Sequence, residues 1–279
     1  MNAKRIGTSF DLAKLELRSL STVQDFCLVT KLQEKIFGFD QTEVVPRLMR
    51  AVSKTGGQIL GAFFGGKLVG FVFALAAFDR TKNERFLLSH IVGVDPDYQN
   101  QGIGYALKFF QRKLALEDGI SNIRWTFDPL IAPNAYFNLA KLGAEAVKFC
   151  ANEYGIMRSE FYQNMPSDRL EVHWDILHEA SPQAFPKDAP KVIELEKQTP
   201  VLREDILSAD VPAVAVPIPT SHLKLRELSP ELALLWYEVI RTAFTSLFSR
   251  GYRGTSFRLE SGDDISSYLF VRNPGTHLP

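Results

Sequence analysis

The sequence predicts an α/β protein in which helices flank a mixed β-sheet, with a small β-α-β-β extension at its C-terminal end. Strand-like and helix-like segments alternate through the first 155 residues. A long apolar strand in that region runs through a glycine-rich turn into an amphipathic helix. Seven of the 15 prolines then fall between Pro182 and Pro219, where the apolar periodicity is lost. These three observations predict a main domain, a connector and an extension.

The domain boundaries follow from these changes of pattern. Residues 1–180 are predicted to form the main domain, residues 181–212 a proline-rich connector, and residues 213–279 the extension. Ser229 and Pro230 mark the start of the extension's helix as its N-cap and first helical residue. The apolar stripe of that helix is too large for so short a segment to cover alone, so we expect the extension to pack on the main domain.

Local signals define the elements in order. Thr22 is a helix N-cap with Asp25 in the first turn, and Gly65 with Gly66 supplies the positive φ angles of a tight hairpin turn. Strands are predicted at residues 14–20, 58–64, 67–77, 85–94, 121–127, 146–154, 170–177, 213–218, 255–259 and 267–271. Helices are predicted at residues 23–36, 42–53, 103–118, 134–142 and 230–248.

Composition argues against a nucleic-acid-binding, membrane or metal-binding protein. Lys and Arg total 32, as do Asp and Glu, so the chain lacks the basic surface that nucleic-acid binding requires. The sequence has no run of about 18 apolar residues and no signal-peptide core, so we expect no membrane partner and a cytoplasmic location. Cys27 and Cys150 lie in apolar stretches and are predicted to be buried thiols. The histidine spacing predicts no metal site.

The strongest motif joins the predicted strand at residues 85–94 to the following helix. Two glycines stand at the helix start, where side chains would block a ligand from the unpaired amides of the first turn. Those amides and the helix dipole together favour an anion. The alternative is a tight strand-to-helix turn that only needs glycine for its shape. The residues predicted to surround the anion are Gln99, Asn100, Gln101, Gly102, Ile103, Gly104 and Tyr105.

This segment resembles the acyl-CoA-binding motif of the GNAT superfamily of N-acetyltransferases, whose pattern is Gln/Arg-x-x-Gly-x-Gly/Ala. Gln99, Gly102 and Gly104 match it, and the order of elements from residue 14 to about residue 155 is similar as well. The resemblance implies a GNAT fold with a splayed sheet, in which backbone groups of Val92 and Val94 hold the pantetheine arm. It also implies acetyl-CoA or another acyl-CoA as co-substrate and direct attack by an amine in a ternary complex.

A narrower resemblance is to a GNAT subfamily of roughly this length that has a similar C-terminal extension. Some of its members are associated with N-acylamino-acid racemases, which implies an amino-acid-like acceptor and succinyl-CoA as an alternative donor. The segments that carry this resemblance are residues 89–90, 125–130, 134–138, 167–170, 214–219 and 237–252.

Acyl transfer to an amine needs a base, and His90 is the candidate because an imidazole titrates near neutrality. Its alternative is a strand histidine hydrogen-bonded in a half-polar core. We expect His90 to alternate with Ile91, so that only one of the two faces the cleft. Asp128 is a candidate second base or ammonium ligand, or else a turn aspartate that caps local amides. Asn134 is either a helix N-cap or, as the resemblance implies, a contact of the pantetheine or acceptor.

The general acid is the point where the sequence departs from the family pattern. Many GNAT enzymes use a tyrosine four residues before the glycine that ends the short helix, and that place is Leu139 here, counted from Gly143. Tyr136 is the substitute candidate, and its alternative is a core or lid aromatic residue.

The sequence therefore predicts an N-acyltransferase that moves an acetyl or succinyl group from CoA to a primary amine of a small molecule. A non-catalytic acyl-CoA-binding or regulatory module is the alternative, and transfer to a protein amine is a third possibility. A homodimer is compatible with the sequence, which does not determine the oligomeric state.

Overall fold

The computed structural model describes residues 10–38, 44–155, 166–178, 185–186, 188–260 and 264–272. The chain divides into two units, Met1–Ile123 and Arg124–Pro279. The strands are β1 (Glu16–Ser19), β2 (Gln58–Phe64), β3 (Lys67–Asp79), β4 (Glu84–Val94), β5 (Asn122–Phe127), β6 (Glu145–Cys150), β7 (Arg169–Asp175), β8 (Ile193–Glu196), β9 (Thr199–Leu202), β10 (Ala213–Pro219), β11 (Tyr252–Arg258) and β12 (Ile265–Arg272).

The helices are α1 (Val23–Phe37), α2 (Pro46–Lys54), α3 (Ile103–Glu117), α4 (Ala132–Ala135), α5 (Glu204–Ser208), α6 (His222–Leu228) and α7 (Pro230–Ser249). The described residues also form 3₁₀ turns at Leu12–Lys14 and Pro96–Tyr98 and a π-helical segment at Tyr136–Lys141. The predicted α/β class, with helices flanking a mixed sheet, is confirmed.

The first unit is built on antiparallel strands in the order β1-β2-β3-β4. Gly65 and Gly66 form the β2–β3 turn with φ angles of 57° and 77°, as the sequence predicts. Thr22 caps α1, and its hydroxyl accepts the amide of Asp25 while the Asp25 carboxylate accepts the amide of Thr22. Helix α2 starts at Pro46, whose fixed φ suits a first helical turn. Residues 42 and 43 of the predicted helix lie outside the described residues.

Two apolar clusters cover the two faces of this sheet. On one face, Phe71 and Phe73 of β3 pack against α1 and α2. On the other face, Val72 of β3 packs against Ile103 and Leu107 of α3. The alternation of β3 side chains therefore separates an α1–α2 face from an α3 face.

The second unit orders its strands β5-β7-β6-β11-β12-β10, and β8 with β9 forms a separate hairpin. The extension is joined to the preceding part by β11, which pairs with β6 at Gly254 and Ala146. Helix α7 packs on β6, β10 and β11. Of its predicted stripe, Trp236, Ala243 and Phe244 are buried. The predicted connector contains β8, β9 and α5, which the prolines in this region obscured at the sequence level.

The prediction that both cysteines are buried is wrong for Cys27. Its side chain lies on the exposed side of α1, because Phe26 and Val29 define the face that packs on the sheet. Cys150 is half-buried, and both thiols are free. Within the described part of the chain, no helix is long and apolar enough to cross a membrane.

Candidate functional site

The end of β4 is anchored by a buried carboxylate. Asp95 is fully buried and forms ion pairs with Lys35 of α1 and with Lys67 of β3, the latter at 2.9 Å between Nζ and Oδ2. Lys35 also contacts Asp97 at 2.6 Å. Burial opposes ionisation of Asp95, but the hydrogen bonds from the two lysines outweigh it and hold the pKa of this carboxyl below its usual value of 3.8. The anchor fixes where the loop after β4 begins.

The loop itself enters α3 through two left-handed residues. Asn100 has a φ of 61° and Gly102 a φ of 84°, a region that asparagine and glycine enter most easily. Gly102 is the helix N-cap and makes no side-chain cap, and the first intrahelical bond runs from the Ala106 amide to the Gly102 carbonyl. The amides of residues 103–105 therefore lack intrahelical partners. This is the geometry of an anion site at a helix N-terminus.

Val92 and Val94 lie on the strand that leads into this loop. Their side chains pack into the apolar cluster on the α3 face. Both side chains are partly buried, and the backbone contact with the pantetheine arm that the resemblance implies remains a prediction. Gln99 donates its side-chain amide to the Val94 carbonyl at 3.2 Å, which ties the start of the loop to the end of β4.

His90 occupies a β-bulge in β4. The β3–β4 register pairs Phe73 with Ile91 and Ala74 with Ser89, so His90 is the extra residue. Its exposed imidazole lies edge-on to the Phe73 ring, with centroids 6.1 Å apart. Ile91 packs on the same α1–α2 cluster. The predicted alternation of His90 with Ile91 is therefore wrong, because the bulge turns both side chains to one face.

Asp128, in the second unit, has both carboxylate oxygens occupied. Oδ1 accepts the Leu130 amide at 2.9 Å, and Oδ2 accepts the Tyr237 hydroxyl at 3.2 Å. Burial raises the pKa of Asp128, and the Leu130 hydrogen bond and the guanidinium groups of Arg169 and Arg226 oppose that rise. The capping interaction expected of a turn aspartate is present, and a second role for Asp128 as a base remains a prediction.

The short helix after β5 differs from its predicted form. Helix α4 starts at Ala132 after Ile131, so the interpretation of Asn134 as the N-cap is wrong; proline at residue 133 favours the earlier start. Asn134 is exposed, and its contact with a cofactor remains a prediction. Tyr136 begins the π-helical segment and is half-buried, with Lys141 Nζ 5.4 Å from its ring centroid. Leu139 is fully buried.

The predicted site residues thus fall into two sets, one in each unit. The first unit contains His90, Val92, Val94 and residues 99–105, which all lie on β4, the following loop and the start of α3. The second unit contains Asp128, Asn134 and Tyr136. The described residues hold no group of three or more His, Cys, Asp or Glu side chains that could bind a metal.

Sequence reasoning missed two polar residues beside these sets. Lys108 is buried on α3 next to the His90 bulge, and Tyr237 of α7 reaches Asp128 across 109 residues of sequence. A weak signal for Lys108 was available, because it lies one turn after Gly104 and one residue after the apolar position Leu107 on the helix.

A stretch of the chain that includes predicted site residues of both units is similar to a known protein family. Residues 26–136 match the acetyltransferase (GNAT) family. No curated protein matches the chain. Among solved structures, the ribosomal-protein-S18-alanine N-acetyltransferase of Escherichia coli is 18% identical with a TM-score of 0.47, over 62% of this chain and 99% of the other.

Two further solved structures also match the chain at low sequence identity. Naa50 of Arabidopsis thaliana, in complex with a bisubstrate analogue, is 15% identical with a TM-score of 0.45, over 57% of this chain and 97% of the other. An aminoglycoside acetyltransferase from an uncultured soil metagenomic sample is 17% identical with a TM-score of 0.39, over 42% of this chain and 80% of the other.

Proposed function

We propose that this chain, which carries an acetyltransferase (GNAT) family domain at residues 26–136, transfers an acetyl group from CoA to a primary amine of a small molecule. GNAT acetyltransferases are CoA-dependent acyltransferases, and the family uses acetyl-CoA. The observation that carries the proposal is the start of α3, where left-handed Gly102 leaves the amides of residues 103–105 open beside an anchored β4. Such a helix terminus suits the pyrophosphate of an acyl-CoA.

His90 is proposed as the general base. An ammonium has no lone pair, so the acceptor must lose a proton before its nitrogen attacks the thioester carbonyl. The imidazole is exposed on the bulge of the strand that leads to the pyrophosphate loop, where a substrate amine could reach it. In the reaction His90 takes one proton from the ammonium, the C–N bond forms and the C–S bond breaks. CoA then leaves as a thiolate, and the nitrogen releases its second proton to solvent.

Tyr136 is proposed to supply a proton to the leaving thiolate. The support is its place on the short helix, where many GNAT enzymes carry their acid one turn later, and its half-buried hydroxyl-bearing ring. Leu139 stands at that usual place and cannot serve, since it is apolar and fully buried. A thiolate is a tolerable leaving group, so loss of Tyr136 should reduce the rate less than loss of the base.

The acceptor we propose is an amino acid or a similar small amine, and succinyl-CoA is the alternative donor. Support comes from the resemblance of the C-terminal extension to that of the subfamily with this implied acceptor. The net charge of zero gives no overall attraction for a nucleic-acid partner. We place the reaction in the cytoplasm, because both cysteines carry free thiols.

A thiol-release assay tests this proposal against a non-catalytic acyl-CoA-binding module. Acetyl-CoA or succinyl-CoA is incubated with the protein and with pools of amino acids and other primary amines. We expect amine-dependent CoA release, with the acylated product identified by mass. Saturable binding of acetyl-CoA without amine-dependent release from any pool would support the module instead. Because Cys27 is exposed and would react with thiol reagents, a reaction without amine is the required blank.

A further inference from the structure

A buried polar cluster lies on the α3 side of β4. Lys108 is 2% exposed, Gln111 is 0% exposed and Ser89 is 3% exposed. Lys108 Nζ donates to Gln111 Oε1 at 2.7 Å and to Ser89 Oγ at 3.1 Å. The Ser89 hydroxyl in turn donates to Gln111 Oε1 at 3.2 Å. The three side chains close a triangle that joins α3 to β4.

The triangle contacts β4 where the strand is irregular. Ser89 directly precedes His90, the extra residue of the bulge, and pairs with Ala74 of β3. The Ser89 side chain points to the α3 face, whereas His90 lies against Phe73 on the α1–α2 face. A bulge re-aims the side chains next to it. The hydrogen bonds to Ser89 therefore hold the strand at the residue that sets the direction of the imidazole.

Filling the space under α3 with these polar groups stabilises the fold less than apolar side chains would. The apolar cluster on this face could accommodate a methionine of similar length without placing an amine out of water. Burial lowers the pKa of Lys108 to about 7, so the protein disfavours the charged ammonium at this place. The Nε2 of Gln111 is buried without a hydrogen-bond partner, which adds a further cost. Stability alone does not account for these polar groups.

We propose that Lys108 is a positioning residue for the acyl transfer: through Ser89 it fixes the bulge of β4 and thereby the imidazole of His90. The inference rests on the proposed function, in which His90 is the base. Lys108 acts from the opposite face of the sheet and does not touch the substrate. Its removal should therefore lower turnover and leave acyl-CoA binding unchanged.

Steady-state kinetics with acetyl-CoA test the split between turnover and binding. Lys108→Met should lower kcat by about tenfold or more and leave the KM for acetyl-CoA within about twofold. Ser89→Ala should act in the same direction with an effect at least as large, since it removes both bonds from the cluster to β4, whereas Lys108→Met leaves the bond from Ser89 to Gln111. The control is Lys113→Met, which removes an exposed lysine from the same helix and should leave both constants unchanged.

An NMR spectrum of the histidine side chains gives a readout that does not depend on activity. The His90 imidazole signal is assigned by its loss in His90→Gln. In Lys108→Met we expect this signal to shift, because the strand that carries it loses the hydrogen bond from Lys108 to Ser89. In Lys113→Met we expect no shift. The signals of His173 and His178, in the second unit, should stay in place in both variants.

The outcomes separate the two proposals. A folded Lys108→Met protein with wild-type kcat and an unmoved His90 signal would overturn the positioning role. If Lys108→Met does not fold, Ser89→Ala decides the question by the same two readouts. If the wild-type protein transfers no acetyl group to any amine, the proposed function fails, and the His90 signal still decides whether Lys108 sets the bulge.

Discussion

Phe244 of α7 provides a quantitative test of how the C-terminal extension is held in the second unit. Its side chain is 0% exposed and lies among four aromatic rings. The centroid distances are 5.0 Å to Phe270, 5.4 Å to Tyr268, 5.7 Å to Phe149 and 6.4 Å to Phe248. Phe149 belongs to β6 of the predicted main domain, whereas the other three rings belong to the extension. Phe244→Ala should therefore weaken the packing within the extension and also the contact between the extension and β6.

The expected loss follows from the size of the removed ring. Truncating a buried phenylalanine to alanine costs about 3–5 kcal/mol, which includes the cavity left behind. Each edge-to-face pair adds about 0.5–1.5 kcal/mol, but neighbouring contacts are not additive. We expect a decrease of about 4 kcal/mol in the free energy of unfolding. For a unit of this size, that decrease corresponds to roughly 8–16 °C in Tm.

Urea unfolding followed by tryptophan fluorescence measures this loss, because Trp125, Trp174 and Trp236 all lie in the second unit. The control is Leu234→Ala on the same helix, where the side chain is 43% exposed and the expected loss is below about 0.5 kcal/mol. A Phe244→Ala protein within about 1 kcal/mol of wild type would show that α7 is not packed as described.

Three further predictions concern the first unit and the chemistry. Asp95→Asn should lower the free energy of unfolding by about 1–2 kcal/mol at pH 7. Because the pKa of Asp95 is lowered in the folded state, this stabilisation is present above the unfolded pKa and is lost as pH falls through the folded pKa. The difference in Tm between the variant and wild type should therefore be smaller at pH 3 than at pH 7. The double variant Cys27→Ser, Cys150→Ser should keep turnover within about tenfold, since burial raises the pKa of Cys150 to about 11, and an acyl-cysteine detected by intact mass would contradict direct transfer. His90→Gln should lower kcat/KM by roughly 10²–10⁴-fold at unchanged acetyl-CoA affinity, and near-normal turnover would make His90 a structural residue.

Features that depend on residues close in sequence could be predicted from the sequence. The capping box of Thr22 and Asp25 spans three residues, and the turn at Gly65 and Gly66 needs only two. The glycine-rich start of α3 is equally local, because Gly102 must take a left-handed φ wherever the rest of the chain lies.

Features that depend on pairing between distant segments could not be predicted from the sequence. The bulge at His90 exists only in the register of β4 against β3, and no local signal marks it. Lys108 is absent from the predicted site residues, because lysines generally face solvent and only the packing of α3 on β4 shows that this one is buried. The bond from Tyr237 to Asp128 joins two residues 109 positions apart, so it follows from the fold of the second unit alone.

The affinity of Gly104→Val for acetyl-CoA, measured by isothermal titration calorimetry, tests the central claim most directly. Gly104 lies in the first turn of α3, where a branched side chain would stand among the open amides of residues 103–105. We expect the dissociation constant to rise at least about tenfold, or about 1.4 kcal/mol. Lys113→Val, a control with a branched side chain at an exposed position of the same helix, should bind like wild type. A folded Gly104→Val protein with wild-type affinity would contradict the assignment of this helix start as the acyl-CoA pyrophosphate site.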